Sequence, residues 1–150
     1  MIGGMSSSIG PREIADILGM EPLPIEGGLF KQSWRDETCS AIYYLLAAPE
    51  FSAVHRLDRI EIFAYHAGAP VRMLLAHNGN VTEHVLGPDL AAGQRPQVTV
   101  APGVWQAAET LGEWSLLGTV VVPPYTDGCV EFATGDELAE YPDLRRLCRS

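Results

Sequence analysis

The chain has 150 residues, of which 47% are hydrophobic and 19% charged, a balance that excludes a disordered chain. Ten Lys and Arg face nineteen Asp and Glu, a net charge of -9, so the basic stripe that a phosphate backbone requires is missing and nucleic-acid binding is not expected. No apolar run approaches the ~20 residues of a membrane-spanning helix, so no membrane partner is expected.

In chain order, the first segment, Met1-Ile2-Gly3-Gly4-Met5-Ser6-Ser7-Ser8, lacks the basic and apolar regions of a secretory signal. Residues 1–10 are read as a flexible lead-in and 11–150 as a single domain. Ile14, Ile17 and Leu18 make a helical stripe that opens on Pro11 and closes on Gly19, so the pattern predicts a short helix there. Pro22 and Pro24 end it. Glu26 then precedes Gly27-Gly28, a pair suited to a tight turn over a barrel end.

From Gly27 onward the period is two, or apolar runs are short. Strands are predicted at Leu29–Arg35, Ser40–Ala47, Ser52–Leu57, Glu61–His66, Val71–His77, Val81–Leu86, Gln97–Ala101, Trp105–Glu109, Trp114–Val122 and Val130–Ala133. Asn78-Gly79 is a type I′ hairpin signal. Asp136–Leu138 and Asp143–Leu147 suggest a helical turn and a helix at the C-terminal end. About ten short, closely spaced strands indicate an all-β sandwich or barrel. Cys39, Cys129 and Cys148 show no metal-ligand spacing, and with no export signal they fit a reducing cytoplasm.

The chemistry-bearing stretch is Ser52 to Gly68. His55 and Glu61 flank a turn near Asp58-Arg59, so adjacent strands would bring them to one interior. A carboxylate beside an imidazole orients it and makes it a better base. Tyr65 shares strand parity with Glu61 and Phe63 and is the expected acid; Tyr43 is a second aromatic candidate. Arg56 is a nearby cation. Trp105 and Gln106 point to opposite faces of one strand, and either can reach the interior.

The residues Gly27-Gly28, Ala41–Leu46, Phe51-Ser-Ala-Val-His55-Arg56, Glu61, Gly68, Leu86–Gly93 and Pro102-Gly-Val-Trp-Gln106 together resemble the Cupin_5 (DUF985) family of cupin-like proteins. The resemblance runs from about Ile14 to about Leu147. It implies an all-β cupin double-stranded β-helix, or jelly roll, with short helices at both ends and a homodimeric assembly. The general cupin metal pattern wants His-x-His, then Glu, then Gly seven residues on, and later Pro-x-Gly-x-x-His. His55, Glu61 and Gly68 fit, but Leu57 and Gln106 stand at two ligand places and Ala101 at the proline. Leu offers no donor, and Gln binds transition metals poorly.

The expectation is therefore a barrel that binds a small molecule with no metal and no cofactor. His55, Glu61 and Tyr65 are the catalytic candidates. Tyr43, Arg56, Phe63, Trp105 and Gln106 are the substrate-binding candidates. The chemistry that fits is metal-independent isomerisation, epimerisation or elimination next to a carbonyl. The alternatives are binding without turnover and a metal enzyme with an atypical ligand set.

Overall fold

The computed structural model describes residues 9–148; residues 1–8 of the expected lead-in, and residues 149–150, lie outside the described residues. Helix α1 spans Pro11–Leu18, with Pro11 at its first turn and Gly19 closing it in the left-handed region at φ 67°. A two-residue strand β1, Glu21–Pro22, follows and pairs with β2, Leu29–Arg35. The sequence pattern missed β1 because two residues, one of them proline, carry no periodicity.

The remaining strands are β3 Ser40–Ala47, β4 Phe51–Leu57, β5 Ile60–Gly68, β6 Val71–His77, β7 Asn80–Leu86, β8 Gln97–Val100, β9 Trp105–Thr110, β10 Trp114–Val122 and β11 Val130–Phe132. Each lies within two residues of its expected bounds. They form a six-stranded sheet, β1-β2-β3-β10-β5-β8, and a five-stranded sheet, β11-β4-β9-β6-β7. All strand pairs are antiparallel, and neighbours in the sheets are mostly distant in the chain, as in a jelly roll. Asn78 and Gly79 both have positive φ, 51° and 80°, as the hairpin between β6 and β7 requires.

The two sheets enclose an apolar cluster that includes Leu46, Val71, Met73, Leu86, Ala108 and Leu117. A second cluster lies on the outer face of the smaller sheet. There Val54, Leu74, Trp105 and Ala107 are covered by Leu138 and Tyr141 of helix α2 (Gly135–Glu140) and its end, and by Leu144 and Leu147 of the 3₁₀ turn Pro142–Leu147. Leu144 and Leu147 are each 1% exposed, and burial of such a side chain contributes about 1.5–3 kcal/mol. The C-terminal segment thus closes a sheet face that would otherwise be wet and apolar.

Candidate functional site

The inward stripe of the barrel does not stay filled. Toward the end bounded by the Leu23–Glu26 segment and by Tyr125 and Asp127, it opens into a cavity of about 600 Å³. Leu23, Ile25, Phe30, Ile42, Val121 and Phe132 form its apolar walls. Its polar lining comes from Glu26, Ser40, His55, Glu61, Thr119 and Tyr125, among others.

Gly27 and Gly28 carry the chain over this end at φ 98° and 81°. A Cβ at Gly28 would stand 2.8 Å from the Tyr44 ring, so only glycine allows the loop to sit this low. Tyr44 donates to the Gly27 carbonyl at 2.5 Å, and the Ala53 amide donates to the Glu26 carbonyl at 2.8 Å. The loop is thereby pinned, and the Glu26 side chain is held inside the mouth.

His55 reaches the cavity through an irregularity in β4. The pairing of β4 with β9 shifts register between Ser52 and His55, which lets residues three apart both face inward. Ser52 Oγ donates to Glu26 Oε2 at 2.8 Å, and Glu26 Oε1 lies 3.6 Å from His55 Nε2. His55 is 2% exposed, and its Nδ1 lies 2.7 Å from the Ala53 carbonyl oxygen. A carbonyl only accepts, so Nδ1 carries the hydrogen. In the neutral ring, Nε2 then presents its lone pair to the carboxylates.

Glu61 enters from β5, on the opposite sheet, and Gln106 Nε2 donates to its Oε1 at 3.0 Å. Burial pushes the Glu61 carboxyl up from an ordinary 4.5 to about 7. The neighbouring His55 opposes that rise, the Glu26 charge adds to it, and hydrogen bonds from Gln106 and Thr119 oppose it. Near neutral pH the cavity therefore holds a carboxyl that shares its time between acid and base. Tyr44 is pushed well above the usual phenol range, first by burial and then by Glu26, and Tyr125 is pushed up to about 12 by burial.

Of the residues singled out in the sequence, His55, Glu61 and Phe63 line the cavity, and Gln106 touches it through Glu61. The others do not meet there. Tyr65 donates to the Gly68 carbonyl at 2.7 Å, beside a register shift where β10 residues Leu116 and Leu117 oppose Ala67 and Tyr65. The alternation holds through Glu61, Phe63 and Tyr65, opposite Val121, Thr119 and Leu117, but it carries Tyr65 to the packed end of the interior, against the core cluster and outside the cavity lining. Tyr43 faces outward, 6.4 Å from the His66 ring, and its neighbour Tyr44 takes the inward place. Trp105 packs outward under the C-terminal segment, with the Arg56 guanidinium 4.3 Å above its ring. Arg56 also pairs with Glu131 at 2.9 Å. Glu26, Ser52, Tyr44 and Thr119 are not among the site residues expected from the sequence. The one sequence signal for Glu26 is the glycine pair that follows.

The cupin metal places are His55, Leu57, Glu61 and Gln106. Leu57 has no donor atom, and Gln106 turns its amide nitrogen, which binds no metal, to Glu61. Among the described residues no three His, Cys, Asp or Glu side chains converge so as to hold a metal ion. These residues do not fit the usual cupin metal centre.

A two-sheet jelly roll with a polar pair in an open interior cavity is the cupin architecture. The chain belongs to the Cupin_5 family, described as Cupin superfamily (DUF985), whose family model matches residues 12–133. A crystal structure of a protein from Shewanella oneidensis is 31% identical, with a TM-score of 0.87, covering 94% of this chain and 98% of that one. A hypothetical protein from Leishmania major is 19% identical, with a TM-score of 0.86 over 95% of this chain and 100% of that one, and shares the fold. A dTDP sugar isomerase from Desulfovibrio desulfuricans shares the fold more distantly, at 18% identity and a TM-score of 0.57, covering 84% of this chain and 85% of that one. A search of curated proteins finds no match to the sequence.

Proposed function

We propose that the protein binds a small carbonyl compound inside the barrel and moves protons next to that carbonyl. His55 Nε2 removes the proton from the carbon beside the carbonyl. The protonated Glu61 carboxyl gives its proton to the carbonyl oxygen, forming a neutral enol. The His55 imidazolium then returns a proton to carbon, on either face or at a different carbon, while Glu61 takes back the enol O–H proton, which completes an epimerisation or isomerisation without redox change; if instead a β-substituent leaves with its bonding electrons, it takes the imidazolium proton and Glu61 recovers its own, an elimination. Glu61 takes the acid role first expected of Tyr65. Gln106 positions Glu61, and Glu26 with Ser52 positions the imidazole.

The observation that carries this reading is the pairing itself. A ring whose Nδ1 is tied to a carbonyl, so that Nε2 is the basic nitrogen, and a carboxyl raised to about 7 share one open, mainly apolar cavity. The Desulfovibrio neighbour is a dTDP sugar isomerase on the same fold, which is a reason to look for this chemistry here.

The test is deuterium exchange. The protein is incubated in D₂O with a panel of ketones and aldehydes, and NMR follows deuterium entering beside the carbonyl. Exchange above buffer is expected, falling roughly 10²–10⁴-fold in His55→Ala and in Glu61→Gln. No exchange with any compound, or variants as active as the parent, would sink the catalytic reading. Binding without exchange would leave the second reading, a carrier or sensor that uses the same cavity.

A cytoplasmic location and a homodimer belong to the same proposal. The three free cysteines support the first. The half-buried apolar outer face of the larger sheet, with Ala41, Tyr43, Ile62, Ala64, Leu116 and Val120, supports a second copy of the chain as the partner. Light scattering at two protein concentrations tests it: a mass of two chains is expected, and one chain would overturn it. No described helix is long and apolar enough to cross a membrane.

A further inference from the structure

We infer that the cavity is built for an uncharged ligand and that Glu26 is the residue that shuts out anionic ones. This rests on the cavity being the binding site proposed above, and it narrows the substrate to neutral carbonyl compounds without a phosphate or carboxylate. The charge of the lining carries it. Glu26, Glu61 and Asp127 line the cavity, and among the described residues no Lys or Arg does. Glu61 and His55 sit on strands, 7% and 2% exposed, whereas Asp127 is exposed on a loop at the open end. The Glu26 side chain, 14% exposed, lies on the loop that crosses that same end. An incoming anion would therefore meet carboxylates at the mouth before it met any donor.

The cations nearest the mouth are already committed. Arg35 Nη1 donates to the Tyr125 carbonyl at 2.6 Å. Arg59 Nη1 donates to the Pro124 carbonyl at 2.7 Å, and its Nε to Asp58 Oδ1 at 2.7 Å. Both guanidiniums brace the mouth loop from outside the lining. Arg56 faces outward, over Trp105 and against Glu131.

The other titratable groups in the lining, Tyr44 and Tyr125, stay neutral phenols at physiological pH. Among the described residues no Lys or Arg pairs with Glu26: its near partners are the Ser52 hydroxyl and the His55 ring. A ligand anion brought into this apolar enclosure would lose water and face like charge, with no guanidinium to pair with. A ketone or aldehyde oxygen loses little by entry and meets a donor in the protonated Glu61.

The experiment compares two probes on one skeleton: a nine-carbon methyl ketone and the keto acid carrying a carboxylate at its far end. Calorimetry on the full chain at neutral pH is expected to show the ketone binding at least roughly a hundredfold more tightly. Raising salt should narrow that gap by screening the mouth. Glu26→Gln, close to isosteric, should narrow it at least tenfold by strengthening keto-acid binding. Asp127→Asn, on an exposed loop where folding is not at stake, should narrow it less.

Keto acid bound as tightly as ketone, or a gap that Glu26→Gln leaves unchanged, would overturn the inference. If the keto acid wins while deuterium exchange still depends on His55, only the charge inference falls. If neither probe binds, the binding reading of the cavity falls and takes this one with it.

Discussion

The two ends of the barrel interior are built from the same strands and the same inward-facing stripe, yet one is filled and the other is open. On β3 the stripe runs Leu46, Tyr44, Ile42, Ser40, and on β10 it runs Leu117, Thr119, Val121, with Leu117 opposite Tyr44 and Val121 opposite Ser40. Glu61 and Phe63 of β5 oppose Val121 and Thr119. At the filled end the stripe meets Val71, Met73 and Leu86 from the other sheet. At the open end it meets His55, Leu57 and Phe132 and the pinned glycine loop, and these leave a cavity between them. Tyr44 and Phe63 mark the boundary, since both belong to the packed cluster and to the cavity wall. Strand alternation alone decides what faces inward; side-chain size and polarity along that stripe decide whether the inside becomes a core or a site.

Substitutions should separate the two ends. Leu46→Ala, at the filled end where Leu46 is 0% exposed, should destabilise by about 2–5 kcal/mol in urea unfolding. A loss under 1 kcal/mol would mean that this end is not close-packed.

Glu61→Gln should act in the opposite direction and only at higher pH. The folded-state carboxyl titrates near 7 and the unfolded one near 4.5, so both are protonated below about pH 4.5 and the full stability is present there. As pH rises through 7 the unfolded state binds fewer protons than the folded one, and up to about 3 kcal/mol of stability is lost. The Gln variant carries no such penalty. Its stability relative to the parent should grow between pH 4.5 and 7, as thermal melts at both ends of that window would show.

Tyr44→Phe, on the boundary, removes the bond to the Gly27 carbonyl and should cost about 1 kcal/mol. It should also loosen the loop over the cavity, read as faster amide exchange at Gly27 and Gly28. The smallest effect belongs to Arg56→Ala, on the outer face. Losing the Glu131 pair and the Trp105 contact should cost less than about 1 kcal/mol and leave cavity binding unchanged. A change in ligand affinity would move Arg56 back among the binding residues.

The strands were legible because most of them alternate cleanly between turn residues; β2, β3, β6 and β10 match their expected bounds residue for residue. The polar pair was legible too, since His55 and Glu61 sit on successive strands around a short turn. What stayed hidden depends on departures from alternation and on chain closure. The irregularity between Ser52 and His55 turns both residues inward, and Tyr65 shares the Glu61 face but sits at the packed end, because parity does not say how far along the stripe the cavity extends. Tyr43 and Tyr44 are adjacent tyrosines, so parity could not be read from residue type. Glu26 lies on a loop outside any periodic segment, and only the folded barrel brings it to His55.

The direct measurement is the titration of Glu61 itself, with ¹³C-labelled glutamate and the Glu61→Gln variant used to assign its carboxyl resonance. The account predicts a midpoint near 7, together with a His55 imidazole protonated on Nδ1 in its neutral form. A midpoint at the ordinary 4.5 would contradict it, because Glu61 would then hold no proton to give to a carbonyl at neutral pH.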